Sequence, residues 1–99
     1  MITENIVLRS DSKKQLKHLG IDKNAHVSDM LIEGAIYLLN NDFTAHDFIY
    51  DDCEGFTMKI DKDLKSKIKQ FCKDKGIKIK DFWNEVADIT IQMQGDFVD

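Results

Sequence analysis

Ninety-nine residues with a mass of 11.5 kDa suffice for one hydrophobic core, or for two small units that share one, and exclude a large multidomain enzyme. The chain is 42% hydrophobic and 32% charged, a balance that supports a globular fold over a disordered tail or a fibre. Its formal net charge of -4 excludes a uniformly basic surface, so any positive field has to come from an uneven distribution.

No stretch approaches the ~18 consecutive apolar residues of a membrane span. The opening MITENIVLRS lacks a basic segment followed by an apolar one, and the expected location is the cytoplasm, with no membrane partner. Cys53 and Cys72 show no CxxC spacing, which signals neither a disulfide framework nor a zinc site.

In chain order, Asn5-Ile6-Val7-Leu8-Arg9 alternates in the manner of a strand. A helical pattern of about 12 residues follows, with Ser10 or Asp11 suited to the N-cap. A second helix is predicted from Ser28 to about Leu39. The connection from Asn41 to Gly55 carries Asp42, Asp47, Asp51, Asp52 and Glu54, the composition of a solvated crossover. Its Phe43, Phe48, Ile49 and Tyr50 are expected to anchor it on the body as a short extra helix. Phe56-Thr57-Met58-Lys59-Ile60 alternates again. Asp61 is the natural cap of a third helix whose Leu64, Ile68, Phe71 and Cys72 share a face, and Gly76 is its natural stop. A fourth helix is predicted from about Lys80 to Met93.

The order strand, helix, helix therefore occurs twice. An offset of 52 residues aligns Asp11 with Asp63, Lys13 with Lys65, Lys17 with Lys69, Asp22 with Asp74 and Lys23 with Lys75, and likewise Asp29 with Asp81, Glu33 with Glu85 and Ala35 with Ala87. Apolar positions also coincide, among them Leu8 with Ile60, Leu16 with Ile68, Met30 with Phe82 and Leu31 with Trp83. One five-residue strand cannot satisfy its own backbone, and a unit of ~40 residues buries too little surface to stand alone. The expectation is a single domain over 1–99: a first repeat at 5–41, an acidic linker at 42–55, a second repeat at 56–93 and a tail at 94–99. Its fold class is mostly α with a two-stranded antiparallel β-ribbon, the two strands pairing over four helices as a single-chain pseudo-dimer.

These features resemble the ribbon-helix-helix family, the Arc/MetJ superfamily of DNA-binding proteins. Leu64, Ile68, Cys72 and Gly76 stand at the family's first-helix and bend positions, and Ser28-Asp29-Met30-Leu31-Ile32-Glu33-Gly34-Ala35 is similar to its second-helix opening. Departures are Ser12 and Asn24 in the first copy, where Leu and Gly are usual, Lys80 in place of Ser in the second, and no Pro after either strand. The resemblance implies that the ribbon enters the DNA major groove and that its outward residues read bases. With Ile6, Leu8, Phe56, Met58 and Ile60 inward, the readout set is Asn5, Val7, Arg9, Thr57 and Lys59. It further implies that backbone N–H groups opening the second helix of each repeat hold DNA phosphate: Val27, Ser28 and Asp29 in one copy, Lys78, Ile79 and Lys80 with Asp81 in the other. Asp29 and Asp81 oppose an anion unless they cap their helices.

Charge distribution is compatible with this. Residues 5–41 carry five basic and four acidic side chains, and residues 56–93 carry nine and six, so the excess of acid lies in Glu4, the linker and the tail. Double-stranded DNA is the expected partner, for a transcriptional repressor or an accessory protein at a plasmid or viral DNA site. The monomer is the minimal unit, with further association on DNA possible within the family pattern. The competing class is an antitoxin-like or adaptor module whose acidic linker or tail binds a protein. Catalytic motifs are missing: His18, His26 and His46 form no HxxxH or HExxH, and there is no GxSxG, P-loop or GxGxxG. Neither an enzyme nor a cofactor or metal is expected. Leu19, Leu31, Phe71, Cys72 and Trp83 are assigned to the core.

Overall fold

A computed structural model describes residues 1–41 and 43–97. Asp42 of the acidic linker and Val98 and Asp99 of the tail lie outside the described residues. The elements are β1 (Ile2–Arg9), α1 (Ser10–Lys23), α2 (Val27–Leu39), β2 (Cys53–Ile60), α3 (Lys62–Lys75) and α4 (Ile79–Gln92). Four helices thus accompany one two-stranded antiparallel sheet.

Both strands begin three residues earlier than alternation alone predicted, at Ile2 and not Asn5, and at Cys53 and not Phe56. The reason is mutual. Ile2 pairs with Ile60 and Arg9 with Cys53, so each strand's early residues satisfy the backbone of the other strand's helix-proximal end. Glu54 and Gly55 have weak strand preference of their own and are recruited by Leu8 and Val7. The crossover accordingly ends at Asp52, not at Gly55.

β1 runs into α1 without an intervening residue, which corrects the expected cap. Arg9 occupies that position with no side-chain cap bond, while Ser10 is already helical. Ser10 donates from its backbone N–H to the Asp52 carbonyl at 2.9 Å and from its hydroxyl to Asp52 Oδ1 at 3.0 Å. Asp61 does cap α3, accepting from the Asp63 N–H at 2.8 Å. The helix that follows each strand ends in a left-handed residue: Gly76 at φ 69° after α3 and Asn24 at φ 51° after α1. Asparagine is among the few non-glycine residues that tolerate this region, so it performs the same stop.

The underside of the sheet supplies Ile6, Leu8, Met58 and Ile60 to the core, all at most 4% exposed. Leu16, Leu31, Phe82, Trp83 and Val86 meet them from the helices, and burial of each such side chain contributes roughly 1.5–3 kcal/mol. Leu31, Cys72 and Trp83 are buried as expected, but Leu19 and Phe71 are only half-buried. Phe71 lies at the rim, stacked on Phe43 of the crossover at 5.9 Å and edge-on to Phe82 at 5.8 Å.

The described residues of the crossover form no extra helix. They run irregularly and are tied down by side chains, principally to Asp81 and Glu85, which lie four residues apart on α4. At Gly34 α2 passes close to α4: a Cβ there would stand 2.5 Å from Thr90 Oγ1.

Candidate nucleic-acid interface

Period-two alternation turns Thr3, Asn5, Val7 and Arg9 of β1 to the side opposite the core, together with Cys53, Gly55, Thr57 and Lys59 of β2. Residues directly opposite in an antiparallel pair share a face, so the register builds four rungs: Thr3 with Lys59, Asn5 with Thr57, Val7 with Gly55, and Arg9 with Cys53. The Thr57 hydroxyl donates to Asn5 Oδ1 at 2.8 Å, and Lys59 Nζ donates to Thr3 Oγ1 at 3.2 Å. Val7 is 39% exposed, opposite a glycine whose absent side chain leaves open space.

Of the five residues assigned from sequence to this face, Asn5, Val7, Thr57 and Lys59 lie together on it and are exposed. Arg9 has the right parity but a different engagement. Its Nη2 donates to Asp88 Oδ1 at 2.5 Å, and its guanidinium carbon lies 4.5 Å from the Phe48 ring centroid. Its backbone N–H donates to Asn84 Oδ1 at 3.1 Å, and Asn84 Nδ2 donates to the Val7 and Lys80 carbonyls. Asn84 thus bolts α4 to the strand edge from a fully buried position. Burial raises the Asp88 carboxyl above its ordinary value, outweighing the opposite pull of Arg9, and the neighbouring Glu85 charge adds to the rise.

The helix starts form two further groups. Val27 and Ser28 are half-buried and Asp29 is exposed, whereas Lys78, Ile79 and Lys80 are all exposed. Neither cap residue, His26 or Lys78, makes a side-chain cap bond, leaving the first-turn N–H groups unblocked by their own caps. Lys80 is turned toward the crossover, its Nζ lying 3.9 Å from the Tyr50 ring centroid. The Tyr50 hydroxyl donates to Asp81, and burial followed by this bond drives the phenol pKa upward. Asp81 is therefore committed to the crossover.

His46 completes the crossover's attachment. Its backbone N–H donates to Glu85 Oε1 at 2.6 Å, and its ring Nδ1 lies 2.7 Å from the same oxygen. Sequence reasoning missed this seam, and it missed Thr3, Cys53 and Gly55 on the ribbon face. Continued alternation through Ile2-Thr3-Glu4 was an available signal for Thr3. The exchange of apolar for polar residues at positions 52 apart, Ile32 to Asn84 and Ile36 to Asp88, signalled the bonds of α4 to β1, but nothing comparable marked the seam.

Among the described residues, no group of three or more His, Cys, Asp or Glu could hold a metal ion, and no helix is long and apolar enough to cross a membrane. No family model matches the chain, and no curated protein or solved structure matches it.

Proposed function

We propose that the chain is a tandem ribbon-helix-helix protein, folded as a single-chain pseudo-dimer, that binds double-stranded DNA sequence-specifically by laying its ribbon in the major groove. The observation that carries this reading is the strand register. Asn5 and Thr57, equivalent under the 52-residue offset, pair directly with each other. The flanking rungs are then related by a two-fold through that pair: Thr3 faces Lys59 on one side, and their equivalents Gly55 and Val7 face each other on the other. A two-fold ribbon is the geometry that a half-site pair in DNA demands. Two strands about 4.8 Å apart fit a groove about 12 Å wide. Lys59 and Asn5 supply donors for guanine or adenine edges, and Val7 an apolar contact for a thymine methyl.

In this reading the protein is a cytoplasmic repressor or an accessory factor at plasmid or viral DNA, with no catalytic step. Phosphate contacts fall to the starts of α2 and α4, where Lys78 and Lys80 are exposed cations in and beside the first turn of α4. The alternative, an antitoxin-like or adaptor module, draws support from one specific feature: Arg9 is paired with Asp88 and withdrawn from the ribbon's donor set.

Selection from a pool of random duplexes by the purified chain tests the proposal. The expected result is an imperfect palindrome, because the two ribbon ends differ, with affinity falling steeply as salt rises. If no duplex is retained at low salt while the protein remains folded, the interaction-module reading replaces the DNA reading.

A further inference from the structure

Two grooves of this fold are equivalent under the 52-residue offset, and they are treated in opposite ways. One lies between α4 and the start of α1. Its floor is polar, with Asn84 and Asp88 and with Arg9 at one end, and the crossover closes it: Phe48 lies over Arg9, and Asp52 accepts from the Ser10 N–H and hydroxyl. The other lies between α2 and the start of α3. There Ile32 and Ile36 replace Asn84 and Asp88, Leu64 replaces Ser12, and Asp61 replaces Arg9. This second groove is open, with a volume of about 540 Å³, and Asp61, Asp63 and Lys67 form its rim. Ile36 is 46% exposed within it. Among the described residues the chain covers its polar groove and leaves the apolar one open, the reverse of what burial energetics favour for an unpartnered surface.

The covered groove also shows what kind of occupant fits. An irregular, non-helical segment lies along it, sets an aromatic ring on the floor and brings Asp51 and Asp52 close to Arg9. At the open groove the charge is reversed at one position, since Asp61 stands where Arg9 does, while Asp63 matches Asp11 of the covered groove. One Asp61 oxygen already accepts from the Asp63 N–H, leaving the other for a cation. We propose that the groove between α2 and α3 docks an extended segment of a partner protein carrying an apolar or aromatic anchor beside Lys or Arg. The inference rests on the repeat equivalence and is independent of DNA binding.

The test uses the full chain with isotope-labelled isoleucine and leucine methyl groups. The probe is a synthetic peptide of residues 43–52 carrying Asp47→Lys, Asp51→Lys and Asp52→Lys, and the control is the unsubstituted peptide. The basic peptide is expected to shift the methyl resonances of Ile32, Ile36 and Leu64, and the acidic control to leave them in place. Ile36→Asp, at an exposed position, should weaken the basic peptide about tenfold, the effect of losing one buried anchor contact. Asp63→Asn, on the rim and outside the core, should weaken it severalfold and reduce its salt dependence. Equal response to both peptides, or unchanged affinity in both variants, overturns the proposal. So do shifts confined to α4, which would mean displacement of the chain's own crossover. Shifts at Ile36 that depend on protein concentration without peptide assign the groove to a second copy and equally overturn it.

Discussion

Arg9 at the end of β1 and Asp88 late in α4 are joined by an ion pair of 2.5 Å that fastens the first strand to the last helix, with Phe48 of the crossover lying over the guanidinium. Three parts of the chain that are remote in sequence meet at this pair. Both side chains are partly exposed, at 30% and 42%, so screening limits the pair's contribution to stability. Its larger consequence is directional: it holds the one arginine of the chain at the ribbon's edge and away from the outward rungs.

The raised pKa of Asp88 gives this pair a pH signature. A carboxyl whose folded value exceeds its unfolded value binds its proton more tightly in the native state, so its favourable contribution is complete below the ordinary carboxylate range and is lost as pH rises through the folded value. Asp88→Asn retains an oxygen acceptor for Arg9 and carries no charge. The variant is expected to match or exceed the native melting temperature at pH 7, with the difference closing as pH falls to about 4. Calorimetry across that interval checks it. A variant markedly less stable at pH 7 would mean that the attraction of Arg9 outweighs the burial of Asp88.

Gly34 is expected to resist substitution for a steric reason. A Cβ at this position would stand 2.5 Å from Thr90 Oγ1, 3.1 Å from Val86 Cγ1 and 3.2 Å from Phe97 Cζ. Gly34→Ala should therefore destabilise by roughly 1–3 kcal/mol, the usual result of overpacking. The Thr90 hydroxyl is buried without a hydrogen-bond partner among the described residues, so Thr90→Ala removes the nearest obstacle together with an unsatisfied group. The double variant should be more stable than the sum of the single changes allows, although Val86 and Phe97 keep the relief partial. Additive effects in denaturant titrations would show that α2 moves away from α4 instead.

Local pattern made part of this architecture legible. Asp61 and Gly76 mark the ends of α3 by cap chemistry, and alternation at Ile6, Leu8, Met58 and Ile60 identifies the buried face of both strands. The same parity puts Asn5, Val7, Thr57 and Lys59 on the opposite face. Illegible were the contacts decided by where the crossover comes to rest. Glu85 and His46 are 39 residues apart, and Arg9 and Asp88 are 79 apart. No periodicity encodes such pairs. Parity assigns Arg9 a side of the sheet, but the direction of its guanidinium is decided by a carboxylate at the far end of the chain. The aromatic residues of the crossover did signal attachment, yet Phe43 and Tyr50 achieve it by ring stacking and a hydrogen bond to Asp81, without helical backbone.

The two cysteines should differ sharply in reactivity. Cys72 is 3% exposed in the core, and burial pushes its thiol up to about 11. At pH 8 that leaves about one thiolate in a thousand, and the thiolate is the reactive form. Cys53 is half-buried on the ribbon face. A disulfide reagent applied to the native protein at pH 8 is expected to modify Cys53 first and Cys72 only at the rate of unfolding, as mass spectrometry of the labelled fragments would report. Equal labelling rates would place Cys72 outside a stable core.

On DNA, the ribbon face and the helix starts are expected to divide the work between reading sequence and holding the backbone. Base contacts discriminate among sequences, whereas phosphate contacts mainly set affinity and orientation. Asn5→Ala and Lys59→Ala alter the exposed middle and one end of the ribbon without touching the core, and each should narrow the gap between selected and random duplexes by roughly 1–3 kcal/mol if a bidentate contact is lost. Lys78→Ala should weaken both duplexes alike and flatten the salt dependence by about one unit of slope. Lys80→Ala is expected to do less, because that ammonium lies against the Tyr50 ring. Arg9→Ala separates two roles: if Asp88 keeps the guanidinium off the DNA, the substitution lowers the melting temperature while leaving the ratio of selected to random affinity unchanged. A drop in that ratio at constant stability would mean that Arg9 leaves Asp88 and joins the readout once DNA is bound.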